Sequence, residues 1–162
     1  MGVTAVNKDL EALTMTVTAQ YDVSVDRAWQ LWADPRQLER WWGPPTYPAT
    51  VVTHDLRPGG GVNYYMTSPE GEKYHGWWTV LEAQPPVRLV VQDGFAHADG
   101  TPNSELPMTV MDVRLAARDG GGVVITMVSE FASLEQLEQL VAMGMEEGLQ
   151  AAMSQIDGIL AG

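Results

Sequence analysis

Apolar and polar residues alternate along most of the chain, and the period of this pattern predicts its secondary structure. Residues 13–22, LTMTVTAQYD, alternate with a period of two and are rich in threonine and valine, which is typical of a strand. The same period recurs between residues 50 and 130, where turn-forming groups such as RPGGG and RDGGG separate the segments. Six further strands are therefore predicted, at 50–56, 62–67, 74–83, 87–95, 107–117 and 123–130.

Two short helices are predicted between the first and second strands. Ser24 or Asp26 can cap the first of them. Asp34 can cap the second, with Pro35 at its first position, and the Gly-Pro-Pro at 43–45 ends it.

The segment 133–161 has apolar and small residues at helical spacing, which predicts one long C-terminal helix. Ser133 is the expected N-cap, and Gln136 is placed to complete a capping box. Gly144 and Gly148 lie on the apolar side of this helix. They permit either close packing on the sheet or a void.

This order of elements predicts an α+β fold with one curved, seven-stranded antiparallel sheet wrapped around the C-terminal helix. A sheet of this size twists strongly, and one helix cannot fill its whole concave side. We therefore expect a cavity between the sheet and the helix.

Composition and charge exclude several classes of function. The chain has 162 residues, no cysteine and a formal net charge of −12, which argues against a nucleic-acid partner and against thiol chemistry. No apolar run approaches the ~18 residues of a membrane span, and no signal peptide is recognisable. We expect a cytoplasmic protein without membrane insertion, with one domain over 1–162 and its core at about 13–161.

Several motifs resemble those of the START-like (SRPBCC) superfamily, which has a helix-grip fold like that of the birch-pollen allergen. They include Asp34-Pro35, the WWGP at 41–44, the RPGG at 57–60, the PPVRL at 85–89 and the tail MGMEEGLQAAMSQIDGILAG. Within the superfamily, the chain is similar to the branch related to activators of the 90-kDa heat-shock chaperone ATPase. The resemblance covers about residues 13–161, and it implies the fold more strongly than any one function.

No motif for a metal, a cofactor or a covalent nucleophile is present, and the three histidines stand alone. The candidates for acid–base catalysis are His54, Tyr64 and Asp93, which face the expected cavity if the period of two holds. Two of them have a structural alternative. His54 can be an ordinary strand-edge histidine, and Asp93 can cap a turn before Gly94.

Aromatic and methionine side chains supply the expected ligand-binding surface, because they combine apolar area with a few polar atoms. Trp41 is expected to anchor the second helix in the core, which leaves Trp42 and Tyr47 at the cavity entrance. The methionines can equally be core residues. The predicted ligand-binding residues are Trp42, Tyr47, His54, Tyr64, Met66, Trp78, Val80, Asp93, Met111, Met127, Met145 and Leu149.

The sequence therefore predicts a protein that binds a small apolar or amphipathic molecule. One alternative is a cyclase- or aromatase-like enzyme that uses an acid–base residue in the same cavity. Another is a chaperone-associated interaction module, which follows from the resemblance alone. The sequence leaves a homodimer open.

Overall fold

The computed structural model describes residues 2–161, which form eight strands and five helices. Their bounds are β1 Gly2–Asp9, β2 Thr14–Tyr21, α1 Val25–Ala33, α2 Pro35–Trp41, β3 Ala49–His54, β4 Gly61–Thr67, β5 Lys73–Gln84, β6 Arg88–Ala96, β7 Thr109–Ala117, β8 Val123–Phe131, α3 Leu134–Ala142, α4 Met145–Met153 and α5 Ile156–Ala161. None of the helices described here is long and apolar enough to cross a membrane.

The strands form one antiparallel sheet in the order β1-β2-β8-β7-β6-β5-β4-β3. Strands β3 to β8 follow one another as a meander, and β2 then pairs with β8. All seven predicted strands are confirmed, with ends within two residues of the expected positions. The α+β class and the antiparallel pairing are confirmed as well.

The predicted number of strands was wrong, because β1 is an eighth strand at the edge of the sheet. It pairs with β2 along its length, with one irregularity between Val3 and Ala5. Most of its side chains are exposed. Only Val3 and Val6 of β1 pack against the core, and the irregularity puts them an odd number of positions apart, so the period of two did not reveal this strand.

The prediction of one long C-terminal helix was also wrong, because the segment is divided into α3, α4 and α5. Gly144 has φ 90°, in the left-handed region, and its N–H donates to the Val141 carbonyl, 3.0 Å away. This is a common way for a helix to end at glycine. The Gly144 carbonyl then accepts from Gly148 at 2.8 Å as α4 begins. Ser133 does cap α3 through the Gln136 N–H, but the Gln136 side-chain oxygen has no partner, so the capping box is only half formed.

The two short helices begin as predicted, with Ser24 and Asp34 as their N-caps. Trp41, at the end of α2, is fully buried and donates its indole N–H to the Leu31 carbonyl at 2.8 Å. The loop that follows is tied to the C-terminal helices, because the Gln155 side-chain amide donates to the Gly43 carbonyl at 2.6 Å. Helix α2 therefore fixes one end of the space between the sheet and the C-terminal helices.

Candidate functional site

A cavity of about 320 Å³ lies between the inward face of the sheet and helices α3 and α4. The sheet contributes residues of β4, β6, β7 and β8, and the loop after α2 contributes Trp42 and Pro44. Most of the lining is apolar. The cavity is lined by Trp42, Pro44, Tyr64, Met66, Asp93, Gly94, Phe95, Pro107, Thr109, Met111, Ser129, Leu140, Met143, Gly144, Met145, Gly148 and Leu149.

Tyr64 and Asp93 form a hydrogen-bonded pair in this lining. The Tyr64 hydroxyl donates to the Asp93 Oδ1 atom at 3.3 Å. The two side chains come from β4 and β6, on either side of β5, and Trp78 of β5 is the cross-strand neighbour of Asp93. Asp93 is also paired with Thr109 of β7. The polar atoms of several strands thus meet at one part of an otherwise apolar cavity.

Burial changes the ionisation of both members of the pair. It raises the pKa of the Asp93 carboxyl from its usual 3.8 to about 7, against the smaller opposing effects of the Tyr64 hydroxyl and the Trp78 indole. Burial, with the nearby Asp93 charge second, holds the pKa of Tyr64 well above its usual 10. Near neutral pH the pair therefore exists with Asp93 partly protonated and Tyr64 neutral.

Gly76 gives the Tyr64 ring its position. The two residues are cross-strand neighbours on β4 and β5. A Cβ atom on Gly76 would lie only 2.4 Å from both Cζ and the hydroxyl oxygen of Tyr64. The absence of a side chain at position 76 therefore lets the ring lie across β5, with its hydroxyl directed at Asp93.

Two tryptophans beside the pair have indole N–H groups without a hydrogen-bond acceptor. The side chains of Trp42 and Trp78 are 8% and 2% exposed, and their ring centroids are 4.9 Å apart in an edge-to-face contact. The Trp78 N–H lies near enough to Asp93 to favour the carboxylate slightly, but neither N–H makes a hydrogen bond of normal geometry. Buried donors without partners are uncommon in folded proteins.

The structure brings seven of the predicted ligand-binding residues into the cavity lining. They include Tyr64 and Asp93, two of the three candidates for acid–base catalysis. The seven are Trp42, Tyr64, Met66, Asp93, Met111, Met145 and Leu149.

Five predicted residues lie outside the lining. Trp78, Val80 and Met127 face inward but are packed in the core, each at most 2% exposed. Tyr47 is 37% exposed and packs against Tyr74, with the ring centroids 6.1 Å apart. His54 contacts the Trp32 carbonyl through Nε2 at 2.9 Å.

The expectation that His54 lines the cavity was wrong, because helix α1 covers the inward face of β3 at this position. The pairing of β3 with β4 shifts between Val51 and Thr53, which inserts an extra residue into β3. Val51 is buried, whereas Val52 is 62% exposed. The extra residue places His54 opposite the buried Val62, so His54 does lie on the inward face. Its ring contacts helix α1 there, outside the cavity lining.

Sequence reasoning missed several lining residues, including two buried hydroxyls. Thr109 and Ser129 are 5% and 3% exposed. Each lies two positions along its strand from an inward methionine, Met111 or Met127, so the period of two did carry a signal for them. The other missed residues are Pro44, Gly94, Phe95, Pro107, Leu140 and Met143.

The two glycines that allowed either a void or close packing lie beside open space. A Cβ atom built on Gly144 or Gly148 would meet no other atom within 4 Å. Both residues line the cavity. The break between α3 and α4 and the missing side chain at Gly148 therefore contribute to its volume.

The described residues include no group of three or more histidine, aspartate or glutamate side chains placed to hold a metal ion. Lysine and arginine are absent from the cavity lining, which consists of described residues alone. An acidic ligand would therefore find no cationic partner there, and its charge would meet the Asp93 carboxylate.

The fold is the helix-grip architecture of the START-like superfamily. In it, an open antiparallel sheet packs around C-terminal helices and leaves a cavity between the sheet and the helices. Residues 22–161 match the model of the family described as Activator of Hsp90 ATPase homolog 1-like protein, and the chain belongs to this family. No curated protein matches the chain significantly.

Solved structures with the same fold include two with high sequence identity. Protein Ms6760 from Mycobacterium smegmatis is 49% identical, with a TM-score of 0.89 over 98% of this chain and 96% of that one. A protein from Arthrobacter aurescens, solved by NMR, is 46% identical, with a TM-score of 0.93 over 98% of this chain and 92% of that one. The AHSA1 protein from Silicibacter pomeroyi, at 18% identity and a TM-score of 0.72 over 91% of this chain and 97% of that one, shares the fold.

Proposed function

We propose that this protein binds a small apolar or amphipathic molecule in the cavity between the sheet and helices α3 and α4. The observation that carries the proposal is the cavity itself, with about 320 Å³ of space, a mainly apolar lining and polar atoms gathered around Asp93. Ligand sites in proteins commonly combine a volume of ~300–1,000 Å³ with such a lining. Membership of a superfamily that includes ligand carriers also supports ligand binding in this cavity.

Gly148 provides a direct test, because it lies in α4 on the cavity wall and faces open space. Gly148→Leu places an isobutyl group in the cavity. We expect it to weaken binding of a neutral apolar fluorophore, N-phenylnaphthylamine, by at least ~10-fold, or about 1.4 kcal/mol. Fluorescence titration measures this affinity.

Gly158→Leu is the matched control. Gly158 is an exposed glycine of α5, outside the cavity lining, and a Cβ atom there also meets nothing within 4 Å. Both substitutions should raise stability by about 0.5–1 kcal/mol, because glycine is unfavourable inside a helix. Equal affinities of the two variants, or no binding to the unaltered protein, would contradict the proposal.

Proton transfer on the bound molecule is a second candidate function. It is favoured by one observation, an Asp93 carboxyl in the cavity whose pKa of about 7 suits a general acid or base near neutral pH. The cyclase-like alternative thus depends on Tyr64 and Asp93, since His54 lies outside the lining.

Deuterium exchange at the carbon next to a ketone tests this second function. With α-tetralone in D₂O at about pH 7.5, the unaltered protein is expected to accelerate exchange at least ~100-fold over the rate without protein, within the usual range for a positioned base. Asp93→Asn should abolish the acceleration, as measured by NMR. A rate that is unchanged by Asp93→Asn would remove Asp93 from such chemistry.

The chaperone-associated role remains a prediction from the resemblance and the family description. A homodimer also stays a prediction, which the mass of the protein in solution tests.

A further inference from the structure

The polar end of the cavity has more hydrogen-bond donors than acceptors for them. We define the donor cluster as the Trp42 and Trp78 indole N–H groups, the Tyr64 hydroxyl and the Asp93 carboxyl. Both indole donors are more than nine-tenths buried, and neither makes a hydrogen bond of normal geometry, although Trp78 lies near Asp93 and Trp42 near the Tyr64 hydroxyl. The Tyr64 hydroxyl is already engaged with Asp93.

A buried donor without an acceptor costs free energy, which a ligand atom can recover by accepting the bond. An oxygen with lone pairs can accept from Trp42, which lines the cavity, and from a protonated Asp93. An ammonium group has only donors, so it would leave both indoles unpaired. A carboxylate would place its charge beside Asp93, with no lysine or arginine in the lining to offset it.

We propose that the donor cluster selects neutral ligands that carry a carbonyl-type oxygen, and that protonated Asp93 donates a hydrogen bond to that oxygen. This inference rests on the proposed ligand-binding function and names the chemical class of its ligand. An apolar ring or chain occupies the volume below α3 and α4, and its oxygen lies against Asp93 and Trp42.

Within residues 2–161, no charged side chain packs against Asp93, so its protonation is controlled by burial in the cavity wall. Tyr64 of β4 is the titratable group in contact with it, and it stays neutral through the working range. Its neighbours on β5 and β7 are Trp78 and Thr109, which do not titrate. Helices α3 and α4 present only apolar residues and glycine to the cavity. Burial therefore dominates the ionisation of Asp93, and an ionised Asp93 can only accept hydrogen bonds.

The test compares four ligands with related bicyclic skeletons. They are α-tetralone, tetralin (the same skeleton without the oxygen), a tetralin carboxylate and the aliphatic amine 2-aminotetralin. Their affinities are measured by displacement of N-phenylnaphthylamine at about pH 5.5 and about pH 8.5, where the carboxylate and the ammonium keep their charges. For the unaltered protein at the lower pH, we expect α-tetralone to bind at least ~10-fold more tightly than tetralin or either charged ligand. At the higher pH this preference should fall at least ~5-fold, since Asp93 no longer donates.

Three variants separate the role of Asp93 from general packing. Asp93→Asn retains an N–H donor and an acceptor for Tyr64, so it should keep the preference for α-tetralone at both pH values. Asp93→Leu should remove the preference at both pH values while tetralin still binds. Tyr64→Phe should reduce the preference, because the carboxyl loses the hydroxyl that orients it.

Several results would overturn the inference. One is equal binding of α-tetralone and tetralin to the unaltered protein at about pH 5.5. Another is a preference that survives in Asp93→Leu. Tightest binding of aminotetralin at about pH 8.5 would assign Asp93 as a counter-ion instead. Failure of all four ligands to bind, or binding of tetralin that Gly148→Leu leaves unchanged, would instead overturn the proposed ligand-binding function itself.

Discussion

Asp93→Asn is expected to make the protein more stable above pH 7. Burial raises the pKa of this carboxyl from 3.8 to about 7, so the folded protein holds the proton more tightly than the unfolded chain does. Proton binding at Asp93 therefore stabilises the folded protein. This contribution to the free energy of unfolding is complete below about pH 4, declines as the pH rises towards 7 and is lost above pH 7. Asparagine cannot ionise, yet its oxygen can still accept from Tyr64.

The size of this effect follows from the shift. Each pKa unit corresponds to about 1.4 kcal/mol, and Asp93 is partly exposed to the cavity, so we expect the variant to gain roughly 2–4 kcal/mol over the unaltered protein at high pH. Urea unfolding between about pH 4 and pH 8.5 measures the difference in the free energy of unfolding. The two curves should diverge with rising pH and become parallel above about pH 7.5.

Asp119→Asn is the matched control for this experiment. Asp119 lies in the exposed turn between β7 and β8, and its replacement removes the same charge from a chain of net charge −12. A similar gain in both variants would mean that general charge repulsion is responsible. A constant difference between the unaltered protein and Asp93→Asn across the pH range would show that Asp93 ionises as freely as it does in water.

Trp41→Ala is expected to destabilise the protein by about 3–5 kcal/mol, the usual cost of removing a buried large aromatic side chain. Trp41 is fully buried, packs edge-to-face against Trp32 at 5.1 Å and donates to the Leu31 carbonyl. The substitution leaves a cavity and removes the donor of that carbonyl. Since folded proteins are commonly stable by only ~5–15 kcal/mol, this is a large share of the total.

Urea unfolding at constant pH measures the loss, and two variants interpret it. Trp41→Phe keeps a ring but removes the N–H, and it should cost less, about 1–3 kcal/mol. Tyr47→Ala removes an exposed aromatic residue from the same loop region, and it should cost no more than about 1 kcal/mol. A loss for Trp41→Ala no larger than that for Tyr47→Ala would show that Trp41 does not anchor α2.

Much of the fold could be read from local patterns. The strands β2 to β8 follow from the period of two and from turn chemistry, because both act over a few residues. The N-caps Ser24, Asp34 and Ser133 follow from side-chain chemistry that is equally local. Even the break at Gly144 had a signal, since glycine in a helical pattern often marks an end. Strand β1 had no such signal, because its two core-facing valines, Val3 and Val6, lie an odd number of positions apart across the irregularity.

The candidate site could be read only in part. The sequence placed Tyr64 and Asp93 on inward faces of their strands, and they meet at 3.3 Å across β5. The same pattern placed His54 on an inward face, where it lies opposite Val62, but its ring contacts the Trp32 carbonyl of α1 and not the cavity. Which helix covers an inward residue depends on long-range packing, which a pattern within one strand does not contain.

The sequence by itself determined the period, the face and the ends of most elements, and hence the fold class. Only the tertiary structure decided which inward side chains meet open space. Met111 lines the cavity and Met127 is packed in the core, although both face inward from neighbouring strands. The difference arises from where α3 and α4 cross the sheet. Gly144 and Gly148 leave open space over one part of the sheet, and alternation along a strand carries no record of which part that is.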